Sequence, residues 1–172
     1  MKDLVRQKLG INVEVMDLLN EQVAMEAHSS AIYLAMASWC DRNALNCSAK
    51  FFYEQAEEER EHMMKIFRFI NDNGGMAYSP EIPSVSHDFD SLEGIFEMSL
   101  EQEIGVTKSI HNIVARCRKV NDFGTENFLQ WFVKEQMEEE QTMRNALDLF
   151  DLMGTDGIAL KLIDERIPGI SE

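Results

Sequence analysis

The apolar residues of this chain recur at alternating intervals of three and four, the spacing that keeps one face of an α-helix apolar. Four long stretches follow it and predict helices over about residues 12–40, 46–73, 90–120 and 125–153. A shorter fifth helix is predicted over about residues 155–166, before Pro168 and Gly169. Turn-forming segments such as NDNGG and NDFG separate the stretches, and Ser91 or Asp90 is the predicted cap of the third helix.

The connection between the second and third helices, GMAYSPEIPSVSH, is long and holds two of the three prolines. A loop of this length between helices indicates a crossover rather than a hairpin turn. Two helical hairpins joined by one long crossover form the ferritin-like topology of the four-helix bundle. We therefore expect an all-α fold in a single domain over residues 1–172, with a short fifth helix at its carboxyl end.

Each of the four long helices carries one glutamate near the middle of its apolar face: Glu26, Glu59, Glu103 and Glu139. Burying an unpaired carboxylate costs several kcal/mol, and four converging carboxylates would also repel one another. Two divalent cations would balance their four negative charges. The pattern therefore predicts a metal site at the centre of the bundle.

A histidine on the second helix narrows the chemistry of this site. His62 follows Glu59 by three residues, so the two side chains share one helix face. A Glu-x-x-His pair that projects inward from a bundle helix is typical of di-iron and di-manganese carboxylate proteins, and an imidazole nitrogen suits iron. Tyr33, two turns after Glu26, is either an ordinary core aromatic or a neighbour of the metal ligands.

The composition restricts the partners of the protein. Acidic residues outnumber basic ones 31 to 16, which gives a net charge of −15 that would repel nucleic acid and anionic lipid and attract cations. The three cysteines show no CxxC spacing, and no apolar run approaches the roughly 20 residues of a membrane span. The amino terminus lacks the apolar run of a secretory signal. We expect a cytoplasmic protein with no nucleic-acid or membrane partner.

Four stretches carry a resemblance to a known family: LNEQVAMEAHSSAIYLAMASWC at 19–40, AEEEREHMMKIF at 56–67, EQEIGVTKSI at 101–110 and NFLQWFVKEQMEEE at 127–140. In order and spacing they resemble the bacterial non-haem ferritins over nearly the whole chain. The resemblance implies an iron-storage protein with ferroxidase activity, which oxidises Fe(II) with dioxygen or hydrogen peroxide. It also implies that Fe(III) is stored as a mineral inside a hollow shell of 24 subunits, with the fifth helix near the fourfold axes.

The resemblance assigns roles to the central residues. Glu26, Glu59 and His62 resemble the ligands of a first iron, with Glu59 as the bridge to a second iron held by Glu103 and Glu139. Gln136 and Tyr33 match the glutamine and tyrosine next to that pair. A third iron position of bacterial members has acids that match Glu58, Glu135, Glu138 and Glu139. Further acids, Glu54, Glu57 and Glu61, are either sites of mineral nucleation or a solvated surface.

Differences from neighbouring families also carry information. The haem-ligating methionine of bacterioferritins corresponds to Arg60, so no haem is expected. Bacterioferritins and the four-helix-bundle oxygenases have a second Glu-x-x-His on the fourth helix. This chain has Gln136-Met137-Glu138-Glu139 there, with no histidine. Two other hypotheses stay open at this point: a di-iron oxidase or peroxidase without bulk storage, and a metal-free helical interaction module.

Overall fold

The structure is a computed structural model that describes residues 9–171. Five α-helices follow one another along the chain: α1 (Val13–Arg42), α2 (Asn46–Asp72), α3 (Leu92–Val120), α4 (Phe123–Met153) and α5 (Gly157–Arg166). A single 3-10 turn, Ile167–Gly169, comes after α5, and the residues described contain no strand. The all-α prediction is confirmed, as is the long connection between α2 and α3. No helix in residues 9–171 is both long enough and apolar enough to span a membrane.

The beginnings of the long helices are set by capping side chains. Asn12 caps α1, Ser91 caps α3 and Asp122 caps α4, each by accepting a hydrogen bond from a main-chain N–H in the first turn. Ser91 rather than Asp90 is therefore the cap of the third helix. The helix α4 begins at Phe123, earlier than predicted, because the Asp122 cap lies in the segment that the sequence pattern assigned to a turn.

The helix α2 has no capping side chain of its own, since its N-cap residue is Leu45. The carboxylate of Asp164, on α5, takes this place. It accepts hydrogen bonds from the main-chain N–H and the hydroxyl of Ser48, at 2.8 Å and 2.7 Å, and is fully buried. A negative charge is favourable at a helix N-terminus. This contact therefore fixes α5 against the beginning of α2.

The hydrophobic core consists of two clusters, one towards each end of the bundle. One includes Tyr33, Phe52 and Phe96, and the other includes Leu19 and Ile110. On every long helix, the central glutamate lies between the residues of the two clusters. The core is thus divided by a polar layer, with apolar packing on both sides of it.

Candidate metal centre

Ten residues were assigned in the sequence to the iron positions or next to them. Seven of the ten form this polar layer: Glu26, Tyr33, Glu59, His62, Glu103, Gln136 and Glu139. They come from all four long helices, and their exposed fractions lie between 0% and 5%. Of the other three, Glu58 and Glu135 are half-buried, and Glu138 is exposed. The helical periodicity that turns the apolar faces inward carries the seven side chains inward with them.

The first group of candidate ligands joins α1 to α2. Glu26, Glu59 and His62 each offer a ligand atom, and these atoms all lie within 4.8 Å of one another. Oε2 of Glu26, Oε2 of Glu59 and Nδ1 of His62 are buried and have no hydrogen-bond partner among residues 9–171. Buried polar atoms nearly always have a partner. Three orphaned atoms in one group therefore indicate a place for a cation.

The second group joins α2 to α4. Ligand atoms of Glu58, His62, Glu135 and Glu139 also lie within 4.8 Å of one another, so the two groups share His62. Glu138 lies outside this group. Its exposed carboxylate pairs with Lys134 of the same helix at 3.3 Å, so the structure does not bring it together with the other acids expected at the third position.

Glu103 lies in the same layer but belongs to neither group. Tyr33 donates a hydrogen bond from its hydroxyl to Oε1 of Glu103, and Gln136 donates from Nε2 to Oε2 at 3.0 Å. Both oxygens of this carboxylate are thus already hydrogen-bonded. Tyr33 and Gln136 lie beside the candidate ligands, and their contacts hold Glu103 in place.

Burial changes the protonation of the layer. It raises the pKa of Glu26 to about 7 and that of Glu139 to about 9. Burial also raises the pKa of Glu59 well above its ordinary value, and the charges of Glu26 and Glu103 raise it further. These raised pKa values favour protonated carboxyl groups in the metal-free layer, and a bound divalent cation would displace those protons.

His62 is shifted in the opposite direction. Burial, with a smaller contribution from the charge of Lys65, lowers its pKa to about 4. The imidazole is therefore neutral near pH 7, and its contact with Glu59 at 3.9 Å is not an ion pair under those conditions. A neutral imidazole has a lone pair to offer a metal, and together with carboxylate oxygens it forms a donor set that fits iron.

Two cavities open beside these groups. One, of about 640 Å³, lies between α2 and α4 and is lined by Glu58, His62 and Glu135, together with Lys65 and Trp131. It connects the second group to solvent. The other cavity, of about 670 Å³, is lined largely by acidic side chains, among them Glu54, Glu57 and Glu61.

The sequence interpretation missed three side chains that contact the site. Gln22 donates a hydrogen bond to Glu26, and Gln55 donates one to Glu58. Trp131 meets His62 edge to face, with 5.4 Å between ring centroids. For the two glutamines a signal existed, because each precedes its partner by four or three residues on the same helix.

Comparisons with known proteins agree with this architecture. A family model described as a ferritin-like domain matches residues 16–153. The chain is 37% identical over 161 residues to a probable bacterial non-heme ferritin-like protein of Haemophilus influenzae, covering 94% of this chain and 98% of that one. It has the same identity, over the same length, to a bacterial non-heme ferritin of Campylobacter jejuni, covering 94% and 96% of the two chains.

Among solved structures, an open-pore ferritin from Archaeoglobus fulgidus is similar, with a TM-score of 0.89 and 35% identity, covering 92% of this chain and 96% of that one. The fold and the site define a four-helix-bundle protein with a buried cluster of carboxylates and histidine. The chain belongs to the ferritin family.

Proposed function

We propose that this protein is an iron-storage ferritin that oxidises Fe(II) at a di-iron centre within each subunit. The observation that carries the proposal is the set of orphaned ligand atoms of Glu26, Glu59 and His62 in the buried layer. Membership of the ferritin family makes iron the metal to expect there. In a metal-free helical module Glu26 and Glu59 could share a proton with each other, but Nδ1 of His62 would still be buried without a partner in the described residues.

In the proposed centre, Glu26, Glu59 and His62 would hold one ferrous ion, and Glu59, Glu103 and Glu139 would hold a second. The two ions match the charge of the four carboxylates. Protons that the raised pKa values keep on the acids leave as the ions bind. Two Fe(II) ions would together supply two electrons, which with two protons reduce dioxygen to hydrogen peroxide or hydrogen peroxide to two waters. Tyr33 and Gln136 would hold Glu103 in place.

The second group supports a third iron position next to this pair. Glu58, Glu135 and Glu139 contribute to it, and the cavity between α2 and α4 gives ions access to it from solvent. Glu138 would have to leave Lys134 and turn inward to join, so we do not include it among the ligands. We propose that Fe(III) leaves the centre through this position.

Storage requires assembly, and the surface of the subunit supports it. Apolar side chains are exposed on several helices, for example Leu34, Phe123, Leu152 and Ile158. Exposed apolar surface of this kind is a frequent mark of contacts between subunits. We propose a cytoplasmic shell of 24 subunits with α5 near the fourfold axes and no haem. Glu54, Glu57 and Glu61 would nucleate mineral in the acid-lined cavity.

Replacing Glu59 and His62 together by alanine tests the site. Stopped-flow absorbance of Fe(II) oxidation in air should show the rate of the variant falling to that of buffer alone, while native mass shows the shell intact. The control variant replaces Glu21 and His111, which are both exposed, by alanine. It should oxidise iron at the wild-type rate. Unchanged oxidation in the first variant would contradict the assignment.

Iron loading separates storage from the other enzymatic hypothesis. After repeated additions of Fe(II) in air, a storage protein holds far more iron than its ligand groups can bind. A di-iron oxidase or peroxidase would take up only the few ions per subunit that its ligand groups can hold. Iron per assembled particle, measured after gel filtration, decides between them.

A further inference from the structure

Two buried glutamines each donate a hydrogen bond to a glutamate one turn further along the same helix. Nε2 of Gln22 lies 2.8 Å from Oε1 of Glu26, and Nε2 of Gln55 lies 3.0 Å from Oε2 of Glu58. Glu26 belongs to the first group of ligands and Glu58 to the second. Each group therefore contains one carboxylate that is held by an amide.

A glutamine amide is well suited to orient a metal ligand. Its N–H fixes one carboxylate oxygen, and because the amide is neutral it does not repel an incoming cation. In the case of Glu26 the other oxygen, Oε2, is buried and has no partner in the described part of the chain. The hydrogen bond from Gln22 thus leaves the free oxygen of Glu26 available to a metal.

The two glutamines differ in how firmly they are held. Ser109, on α3, donates from its hydroxyl to Oε1 of Gln22 at 2.5 Å, and this contact turns the amide so that its N–H faces Glu26. Gln55 has no equivalent anchor, because its buried Oε1 has no partner within residues 9–171. Glu58 is also less buried than Glu26.

We propose that Gln22 and Gln55 are positioning residues that set the metal affinity of the two groups separately. Gln22, anchored at both ends, orients Glu26 for tight binding in the first group. Gln55, anchored at one end, orients Glu58 for weaker and faster-exchanging binding in the second group. This inference rests on the proposed function, because it assumes that the two groups hold metal.

The test replaces each glutamine by methionine, which has a similar length and shape but no N–H to donate. The whole metal-free protein is titrated with Co(II) alone, without air, and the visible absorption of bound Co(II) is followed. The wild-type protein should show a tight and a weak class of site. Loss of a hydrogen-bonding partner behind a metal ligand typically lowers affinity about 10- to 100-fold.

The expected result is reciprocal. Gln22→Met should weaken mainly the tight class, by about 10- to 100-fold, and Gln55→Met should weaken mainly the weak class. Because both groups share His62, the other class should change by a much smaller factor. Each variant is the control for the other. A role in stability alone would change the melting of the metal-free protein without selecting one class of Co(II) spectrum.

A serine variant keeps the test sharp if Gln22→Met does not fold. Ser109→Ala retains the amide but removes its anchor, so the tight class should weaken by a smaller factor than in Gln22→Met. Ser99→Ala is the matched control, because the hydrogen-bond acceptors of the Ser99 hydroxyl are the main-chain oxygen of Ile95 and Sδ of Met36, and neither belongs to a glutamine or a candidate ligand. It should leave both classes unchanged.

Three results would overturn the inference, and they can be told apart. If Gln22→Met and Gln55→Met both gave the same Co(II) titration as the wild-type protein, the glutamines would not position ligands. The proposed function would still stand. Equal loss of both classes in both variants would show that the groups are not set separately. A wild-type protein that takes up no Co(II) would remove the metal sites, and the proposed function with them.

Discussion

Replacing Glu139 by glutamine should stabilise the metal-free protein while weakening its binding of metal. Glu139 is buried in the polar layer, where burial and neighbouring carboxylates raise its pKa to about 9 from an ordinary 4.5. In the unfolded chain the same carboxyl group loses its proton at the ordinary value. Folding at neutral pH therefore requires Glu139 either to take up a proton or to be buried as an anion.

The size of the stability change follows from the difference between the pKa of Glu139 in the folded and in the unfolded protein. A carboxyl whose pKa is raised by folding contributes stability that is fully present below the unfolded pKa and is lost as pH rises towards the folded pKa. Between 4.5 and about pH 7.5 the loss for Glu139 is about 4 kcal/mol, at about 1.4 kcal/mol for each pH unit. A glutamine cannot ionise, so the variant does not lose this stability.

Calorimetric melting of the metal-free protein from about pH 5 to about pH 8 measures the effect. The melting temperature of Glu139→Gln should exceed that of the wild type by an amount that grows with pH and reaches on the order of 10 °C. Glu138→Gln is the control, because it changes the same charge one residue away on an exposed carboxylate. Its melting temperature should stay close to that of the wild type.

Two results would refute the reasoning. One is an equal pH dependence of melting in Glu139→Gln and the wild type, which would mean that Glu139 does not carry the burial cost. The other is equal stabilisation of both proteins by added Co(II). Because a bound ion stabilises only the state that binds it, the wild type should gain more from the metal than the variant does.

Two further substitutions test the packing around the bundle. Asp164→Ala leaves the main-chain N–H and the hydroxyl of Ser48 without their partner. It should lower the free energy of unfolding by about 2–3 kcal/mol and speed amide hydrogen exchange in the first turn of α2. Unchanged exchange there would contradict the remote cap. Gly75→Ala places a Cβ 2.9 Å from Cγ2 and 3.1 Å from the main-chain oxygen of Ile70, and overpacking of this kind should cost about 1–3 kcal/mol in a thermal melt. Gly105→Ala, where nothing lies within 4 Å, is its control and should stabilise α3 slightly. Equal melting of the two glycine variants would show that the space at Gly75 is not restricted.

The helices could be predicted because their signal is local. An apolar face and a turn-forming break are both visible within a few residues, and a long proline-containing connection indicates a crossover. The predicted beginning of α4, at about residue 125, lies two residues after the observed one, Phe123. From the sequence, Asp122 looks like part of a turn, and only the structure shows that its side chain accepts a hydrogen bond from the first turn of the helix. The cap of α2 could not be predicted, since Asp164 lies on another helix.

Site residues could be predicted from the sequence where a charged side chain interrupts an apolar helix face. A glutamate such as Glu26 stands out in an apolar helix face, whereas the only signal at Gln22 and Gln55 is their spacing of four and three residues from Glu26 and Glu58. Glu135 and Glu138 stand in one acidic run, and which of them turns towards the layer depends on the rotation of α4 against α2. Only the structure shows that Glu135 turns inward and that Glu138 pairs with Lys134.

The remote cap has a consequence for the order of events during synthesis. The ribosome makes α2 early, yet Ser48 receives its partner from a residue that follows 116 positions later. Until Asp164 has left the exit tunnel, the first turn of α2 lacks its cap, whereas α1 and α2 can already pack against each other. A chain released before α5 is made would therefore lack this cap. The first turn of α2, the helix that carries Glu59 and His62, would then fray.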